Sequence, residues 1–419
     1  MCKITKENDS LQRQTENKDE NSHVPPIKKN VPELRFPEFK GEWNSYKISE
    51  ISKTYSGGTP STSNREFYKG NIPFIKSGEI NSETTEQYIN EDAISNSSAK
   101  YVKKGDLLLA LYGATSGEVA ISKIDGAINQ AVLKIDNKMN NIFQYNYFLK
   151  YKNRIVFKYV QGGQGNLSAK IIKNLQFKYP SDEEQKKIAN FLTCIDQKIE
   201  LMEKKHTLYQ SIKKYLLKNL FPKPMEAVPR LRFFEFKDNW DELKITDIFK
   251  ERKERKFENL ELLSVTINKG VIKRSDLENK DNSNKNRSKY KHVLPNDIVY
   301  NSMRMWQGAS GFSNFEGIVS PAYTILIPKK NIISEFYSYY FKNEYMVNEF
   351  RKYSQGLTSD TWNLKYPLIA KIKLYKPNIK EQKKINGILK LYDIHIFNLN
   401  NKIKEIKKYK KGLLQKMFV

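Results

Sequence analysis

Apolar residues recur at alternating intervals of four and three positions near the end of each half of this chain. The first run begins at Ile188 and the second at Ile385. This interval is the heptad spacing of a coiled-coil seam, so we predict two long helices, near residues 181–221 and 378–419. At about 1.5 Å per residue, each seam is about 50 Å long. The seam residues are Ile188, Leu192, Ile195, Ile199, Met202, His206, Tyr209, Lys213, Leu216 and Leu220, and then Ile385, Leu389, Tyr392, Ile396, Leu399, Ile403, Ile406, Lys410, Leu413 and Met417.

A helix with one apolar stripe must bury that stripe, and the matching stripe belongs to the other helix. Two equivalent stripes that pack about a two-fold axis form an antiparallel two-helix coiled coil, which is our prediction. The alternative is that each helix packs on its own globular domain. Ser181-Asp182 supplies an N-cap for the first helix, whereas the second helix has a weaker start at Asn378.

Shorter apolar runs alternate with turn signals in the rest of each half. The segments Asp106–Leu111 and Asp297–Tyr300 have the length and composition of strands, and Ser56–Pro60 is typical of a loop. Helical spacing covers Phe143–Phe157 and Ile333–Phe350. We therefore predict an α+β, or mixed, chain with two α/β domains, each built on a curved sheet.

The beginning and the end of each half occur twice, 197 residues apart. The segment VPELRFPEFKGEWNSYKISEI begins at Val31 and VPRLRFFEFKDNWDELKITDI begins at Val228, whereas Glu-Gln-Lys-Lys-Ile begins at Glu184 and again at Glu381. The central segments of the two halves differ. We call the repeated first and last segments of each half the repeated frame. We divide the chain into a disordered polar tail (1–30), a first globular domain (31–180), a helix with a proline-containing linker (181–227), a second globular domain (228–376) and a distal helix (377–419).

The charge balance indicates a polyanionic partner. Among 419 residues, 73 Lys and Arg stand against 47 Asp and Glu, a formal net charge of +26. Nucleic acid is the common polyanion that such a surface binds, although a proteome rich in lysine would produce the same excess. The two cysteines, Cys2 and Cys194, fit a reduced cytoplasmic setting and no structural zinc site. No apolar run approaches the ~18–20 residues of a membrane span.

Polar, aromatic and glycine-bearing loops are the candidate DNA contacts. Arginine pairs with guanine, glutamine and asparagine pair with adenine, and glycine lets the backbone approach a groove wall. The Lys269–His292 segment is rich in lysine and arginine and is predicted to contact phosphates. An ordinary exposed turn is the alternative for each candidate. The candidates are Lys76, Ser77, Tyr112, Thr115, Gln161, Gln164 and Asn166 in the first domain, and Lys273, Arg274, Arg287, Arg304, Trp306, Gln307, Gln355 and Thr358 in the second.

No segment has the pattern of a catalytic or metal site. A Gly-Lys-Ser/Thr phosphate loop, a glycine-rich turn for S-adenosylmethionine and the acidic cluster of a two-metal nuclease are all missing from the sequence. Asn71–Phe74 is interpreted as the start of a strand, and His206 on the helical seam as a packed residue. We therefore predict no catalytic residues, no metal ligands and no cofactor in this chain.

The duplicated Val-Pro-x-Leu-Arg-Phe-x-Glu-Phe opening and the Glu-Gln-Lys-Lys-Ile closing resemble the specificity subunit of type I restriction–modification enzymes. Gly105–Leu108, Gly113–Gly117 and Ser320–Tyr323 are similar to that family as well. The resemblance extends over nearly all of residues 31–419. Asn296 departs from the pattern because the first repeat has glycine in the corresponding Gly-Asp turn.

The resemblance implies a non-catalytic subunit with two target recognition domains, each reading one half of a split, asymmetric site in double-stranded DNA. The helices then set the spacer between the half-sites. The implied partners are two methyltransferase subunits and the restriction subunits, which would hold S-adenosylmethionine, ATP and Mg²⁺. The alternative is a coiled-coil DNA-binding scaffold or regulator that acts alone, without methyltransferase partners.

Overall fold

The computed structural model describes residues 30–159, 166–267, 269–277 and 286–419. Except for Asn30, the predicted polar tail lies outside the described residues, and so do Gln161 and Gln164. The chain divides into two compact units. The first contains the described residues up to Cys194 together with Tyr409–Val419, and the second contains Ile195–Lys408.

The first unit is mixed α/β, as the sequence predicts. Two four-stranded sheets have the orders β2-β9-β6-β7 and β4-β3-β8-β5, and β1 pairs with β10. Its strands are β1 (Asn44–Lys47), β2 (Ser52–Ser56), β3 (Ile72–Ile75), β4 (Tyr88–Ile89), β5 (Lys100–Val102), β6 (Leu107–Ala110), β7 (Val119–Ile121), β8 (Gly126–Ile128), β9 (Val132–Asn137) and β10 (Gln176–Tyr179). Its helices are α1 (Ile48–Ile51), α2 (Glu91–Ser95), α3 (Asn141–Val156), α4 (Ala169–Lys173) and the first part of α5 (Asp182–Asn219).

The core of the first unit joins its two sheets and a cluster of aromatic rings. Every residue of β6 is buried, as expected for a strand that is covered on both faces, and Leu108 packs in one cluster with residues of the other sheet. Asn140 caps α3 by accepting a hydrogen bond from the amide of Phe143 (3.0 Å). The Phe418 ring packs against Phe143 and Trp43, with centroids 5.0 and 6.4 Å away.

The second unit repeats this plan. One four-stranded sheet has the order β12-β19-β16-β17, and the remaining strands form the pairs β11–β20, β13–β14 and β15–β18. Its strands are β11 (Asp241–Lys244), β12 (Phe249–Glu251), β13 (Leu263–Thr266), β14 (Gly270–Lys273), β15 (Lys291–Val293), β16 (Ile298–Asn301), β17 (Ser310–Phe312), β18 (Gly317–Val319), β19 (Tyr323–Pro328) and β20 (Lys373–Lys376). Its helices are the remainder of α5, α6 (Ile245–Ile248), α7 (Ser334–Tyr340), α8 (Glu344–Tyr353), α9 (Tyr366–Ile369) and most of α10 (Ile379–Met417).

Two local predictions are wrong, and one predicted helical segment is helical but interrupted. The Ile333–Phe350 segment is two helices because Asn343 takes an extended backbone and accepts a hydrogen bond from the amide of Tyr345 (2.8 Å), which starts α8 afresh. Asn378 is a good N-cap, since its side chain accepts from the Glu381 amide at 2.9 Å. The Lys269–His292 segment is not one loop, because it contains β14 and the first residues of β15.

The two long helices are antiparallel where the second unit contains both. The Tyr209 and Tyr392 rings meet edge to face, with centroids 5.9 Å apart. Glu203, further towards the start of α5, pairs with Lys407 of α10 at 2.6 Å. Lys213, further along α5, pairs with Asp393. Every seam residue of both helices is buried or half-buried, as the heptad spacing predicts.

The two ends of each repeated frame meet in the same way. Arg35 donates two hydrogen bonds to Glu184 at 2.8 and 2.7 Å, and Arg232 donates two to Glu381 at 2.8 and 2.9 Å. Both carboxylates are 1% exposed. The duplicated Leu-Arg-Phe and Glu-Gln-Lys-Lys-Ile motifs are therefore the two sides of one buried, bidentate contact that fixes the start of each long helix.

Candidate nucleic-acid interface

Four loops of the first unit meet at one edge of its sheets. Strands β2 and β6 both end where β9 begins, because Ser56 pairs with Leu133 and Ala110 pairs with Val132. Strands β3 and β8 are parallel and end side by side, and the chain passes from β8 directly into β9. We call this surface the first loop edge, and it comprises residues 57–61, 76–79, 111–118 and 129–131.

The first loop edge is polar and closely packed. The Thr59 hydroxyl donates to the side-chain oxygen of Gln130 at 2.5 Å. A Cβ at Gly57 would lie 1.7 Å from the carbonyl oxygen of Ile128, so only glycine permits this approach of the two loops. Tyr112 is 38% exposed, which leaves its ring available to a partner. The candidates Lys76, Ser77 and Thr115 are half-buried on the same edge.

The loop that follows α3 returns to this edge. The amide of Leu167 donates to the carbonyl of Leu111 at 3.1 Å, and the preceding residue, Asn166, is exposed. Five predicted contacts are thus brought to one surface: Lys76, Ser77, Tyr112, Thr115 and Asn166.

Three loops of the second unit meet in the same manner. The backbone amide and the hydroxyl of Ser302 both donate to the carbonyl of Ala322, at 3.1 and 2.6 Å. The carbonyl of Ser302 in turn accepts from the amide of Leu364 at 2.8 Å. We call this surface the second loop edge, comprising residues 302–308, 320–322 and 354–363.

The second loop edge presents the strongest sequence candidates. Arg304 and Gln307 are exposed at the two ends of a short turn of 3-10 helix, which Gly308 ends with a φ of 78°. The Trp306 ring is held edge to face against Trp362, with centroids 5.3 Å apart, and its ring nitrogen donates to the carbonyl of Met303. An arginine and a glutamine held beside aromatic rings can pair with base edges.

The loop at residues 354–363 of the second loop edge carries two further candidates. Gln355 pairs with Asn363 through two backbone hydrogen bonds, 3.1 and 2.8 Å, which close the loop. Within it, the Thr358 amide donates to the hydroxyl of Thr361 at 3.1 Å. Gln355 and Thr358 are both exposed. The structure therefore groups Arg304, Trp306 and Gln307 with Gln355 and Thr358.

The two loop edges are built from equivalent loops. In each unit, the backbone that follows a central strand accepts a hydrogen bond from a leucine that comes after the helical layer, Leu167 in one and Leu364 in the other. Both leucines follow an asparagine, Asn166 and Asn363, 197 residues apart. Sequence reasoning missed Trp362, Thr59 and Gln130. The repeated Asn-Leu pair was the signal for Trp362, since it identifies the equivalent loop.

Lys273 and Arg274 lie away from the second loop edge. Lys273 is the last residue of β14 and Arg274 follows it, at the end of the β13–β14 hairpin that is opposite its tip. The Lys273 amine lies over the ring of Phe315, 5.9 Å from its centroid, in the turn between β17 and β18. Arg287 instead precedes β15, whose first residue, Lys291, lines a pocket of about 260 Å³ with Ser302 and Asn363.

Burial lowers the pKa of the Lys291 amine, which donates to the carbonyl of Tyr323 at 2.7 Å.

Within the described ranges, no three His, Cys, Asp or Glu side chains converge as metal ligands would. No helix in that part of the chain has the length and apolar composition needed to cross a bilayer.

The family model described as "Type I restriction modification DNA specificity domain" matches this chain twice, over residues 40–209 and 237–408. These ranges cover most of the chain and coincide with its two repeats. The chain belongs to the specificity-subunit family of type I restriction–modification systems. A specificity subunit is a DNA sequence-recognition subunit and carries no catalytic activity of its own, so the two matches account for the duplicated frame.

Specificity subunits of known proteins align with one or both halves. The type I restriction enzyme MjaIX specificity subunit of Methanocaldococcus jannaschii is 31% identical over 191 residues, which are 43% of this chain and 44% of that protein. The MjaVIII specificity subunit of the same organism is 24% identical over 408 residues, 91% of this chain and 92% of that protein. The first alignment therefore spans less than half of its relative, and the second spans nearly all.

A solved structure shares the fold. The crystal structure of the type I restriction–modification system S subunit from M. genitalium aligns with 93% of this chain and 99% of that one, with a TM-score of 0.60 and 17% sequence identity. The duplicated mixed α/β plan predicted from the sequence is thus the fold of a specificity subunit.

Proposed function

We propose that this specificity subunit reads a bipartite, asymmetric site in double-stranded DNA, one half with each globular domain. In this proposal the first loop edge contacts one half-site and the second loop edge contacts the other. The long helices set the number of unread base pairs between them. S-adenosylmethionine, ATP and Mg²⁺ are held by methyltransferase and restriction subunits, and the complex works in the cytoplasm.

The observation that carries the proposal is the equivalence of the two loop edges. Each unit uses the same pair of loops, pinned by the same leucine hydrogen bond, to present exposed side chains. The side chains themselves differ, with Tyr112 and Gln130 on one edge and Arg304 and Gln307 on the other. Equivalent scaffolds with different side chains suit two half-sites of different sequence, because base pairs are distinguished by hydrogen bonds to their edges.

The outer faces of the long helices favour the docking of partner helices. Leu201, Leu208 and Tyr215 are 67%, 56% and 60% exposed, and each comes two positions after a seam residue, which turns it to the opposite face of α5. On α10, Leu391 and Phe397 are 50% and 63% exposed. Apolar side chains aligned on an exposed helix face favour burial against another protein. We assign the exposed apolar faces of α5 and α10 to contacts with the methyltransferase subunits.

The second candidate function is a DNA-binding scaffold or regulator without methyltransferase partners. The net charge of +26 is compatible with both functions. The exposed apolar faces favour the specificity subunit, because a rod that acted alone would gain solubility from polar residues at these positions.

Single-molecule methylation sequencing separates the two functions. We expect a host with the complete system to carry one methylated bipartite motif, and the motif to disappear when the gene for this chain is deleted. An unchanged methylome after the deletion would favour the scaffold. A methylated motif without an unread spacer would contradict the division into two reading domains.

A further inference from the structure

We propose that Lys342 and Lys152 are positioning residues for sequence recognition, each tethering the recognition loop of its own unit to the neighbouring helical layer. This inference rests on the proposed function, because it assumes that the loops after β6 and β16 read bases. Neither lysine is a candidate for contact with DNA.

Lys342 lies between α7 and α8 and binds two loops at once. Its amine donates to the carbonyl of Gly308 at 2.9 Å and to the carbonyl of Ile267 at 2.7 Å. Gly308 ends the turn that presents Arg304 and Gln307. Ile267 belongs to the tip of the β13–β14 hairpin. A single ammonium group therefore fixes the recognition turn against the hairpin and the helices together.

The surroundings of Lys342 disfavour its charged ammonium form, and its hydrogen bonds to the two carbonyls offset part of that cost. Desolvation, assisted by the charge of Lys213, lowers the pKa of Lys342 to about 8. The Lys213 charge is itself paired with Asp393. An apolar residue would fill the same space without this electrostatic cost, but the Ile267 carbonyl would lose its hydrogen bond from Lys342 and the Gly308 carbonyl would keep only its local bonds from Ser310.

The first unit makes the equivalent connection with different chemistry. Lys152 of α3 forms an ion pair with Glu118, which closes the 111–118 loop immediately before β7. The residue before Glu118 is Gly117, with a φ of 84°, and the Gly308 φ is 78°. A Cβ at Gly117 would meet the side chain of Val156 of α3. Both recognition loops thus end in a left-handed glycine against the helical layer, beside a lysine tether.

The tethers reduce the conformational freedom that each loop loses when it binds DNA. A loop already held in its binding geometry loses less entropy on association, and it discriminates better because a mismatched base cannot be accommodated by loop movement. Each lysine acts on its own loop, so the loss of one tether should relax one half-site and leave the other unchanged.

The experiment uses the full chain expressed with its methyltransferase subunits, and the readout is the methylated motif. We expect Lys342→Met to raise methylation at sites with substitutions in the half read by the second domain by roughly tenfold, and Lys152→Met to do the same for the other half. Lys352→Met is the matched control, because this α8 lysine is 69% exposed and pairs with Glu349 of its own helix. Hydrogen exchange of residues 303–309 should rise in Lys342→Met and stay unchanged in Lys352→Met.

The charge-reversed pair Lys152→Glu with Glu118→Lys is expected to restore the first half-site, which a general loss of folding would not allow. Lys342→Met could prevent folding and so abolish methylation. In that case the Lys152→Met variant tests the inference, because the Lys152–Glu118 ion pair is more exposed and its loss threatens folding less. An unchanged motif in the Lys152→Met variant, or equal relaxation of both half-sites, overturns it. Failure of the proposed function is distinct, because the unaltered chain would then direct no bipartite methylation.

Discussion

At the scale of single residues, the second loop edge concentrates the groups best suited to reading bases. Arg304 and Gln307 flank one turn and are exposed, whereas Trp306 between them is held by Trp362. A planar guanidinium and a side-chain amide each make paired hydrogen bonds to one purine edge, which is the geometry of direct readout. Gly308 ends the turn, and its carbonyl accepts a hydrogen bond from the Lys342 amine.

Replacement of Arg304 with alanine should weaken or relax recognition by about 1–3 kcal/mol at one base position. The measurement is binding of the complex to duplexes that carry its methylated motif, with each base pair varied in turn. Arg274→Ala is a suitable comparison because Arg274 lies at the opposite end of the hairpin from the second loop edge, and we expect it to leave the preferred sequence unaltered. Unchanged affinity and unchanged preference in Arg304→Ala would remove Arg304 from the set of reading residues.

Lys342 also predicts a pH dependence of stability. Its folded pKa of about 8 lies below the ordinary value of 10.5, so the unfolded chain binds more protons than the folded chain between these two pH values. This group therefore makes the unfolding free energy rise with pH across that window, and its contribution to the slope fades as the pH falls below 8.

The Lys342→Met variant should lack this part of the rise. Urea unfolding of both proteins at several pH values from 7 to 10 measures the difference, and the comparison cancels the contributions of groups that the two proteins share. Parallel pH profiles would show that the Lys342 amine is not buried as the structure places it.

At the scale of elements, the two long helices start in the same way and share a regular seam. The Arg35–Glu184 and Arg232–Glu381 contacts bury a carboxylate at the first turn of each helix, where it also favours the helix dipole. Within the second unit, the ion pair between Glu203 and Lys407 establishes an antiparallel register. A pair of helices packed along heptad seams tolerates insertions only in whole heptads. An insertion of another length rotates the apolar seam of one helix away from the other helix.

Insertion of one heptad into both helices, near residues 205 and 400, should lengthen the spacer and preserve both half-sites. Seven residues extend a helix by about 10 Å, which corresponds to about three base pairs. Methylome sequencing reports the spacer directly. An insertion of five residues in each helix serves as the control and is expected to abolish methylation, and an unchanged spacer after the heptad insertion would contradict the measuring role of the helices.

At the scale of the whole molecule, the duplication predicts independent reading by the two domains. Exchange of residues 228–376 for the corresponding domain of another specificity subunit should change one half of the methylated motif and leave the other half and the spacer as they were. Arg232 lies inside the exchanged range and Glu381 lies outside it, so the graft keeps the buried pair that starts α10 only when the incoming domain carries an arginine at the position of Arg232. A change in both half-sites would show that the two domains do not read independently.

Much of this organisation follows from the sequence by itself. The heptad seams, the repeated frame, the family and the strands at Leu107 and Ile298 depend on local spacing and on repeated motifs, which one chain displays without any knowledge of its contacts. Errors arose where a single side chain overrides the pattern. Asn343 interrupts a helical spacing by capping a new helix, and no periodicity reveals such a cap within an apolar run.

Only the tertiary structure decided which candidates share a surface. Strand pairing between residues far apart in sequence brings Gln130 to Thr59, Trp362 to Trp306 and the Lys342 amine to Gly308, and it separates Lys273 from Arg304. Composition identifies a loop as polar, but the edge of the sheet at which it emerges depends on strand order and direction. Those are properties of long-range pairing, and a local pattern of residues does not contain them.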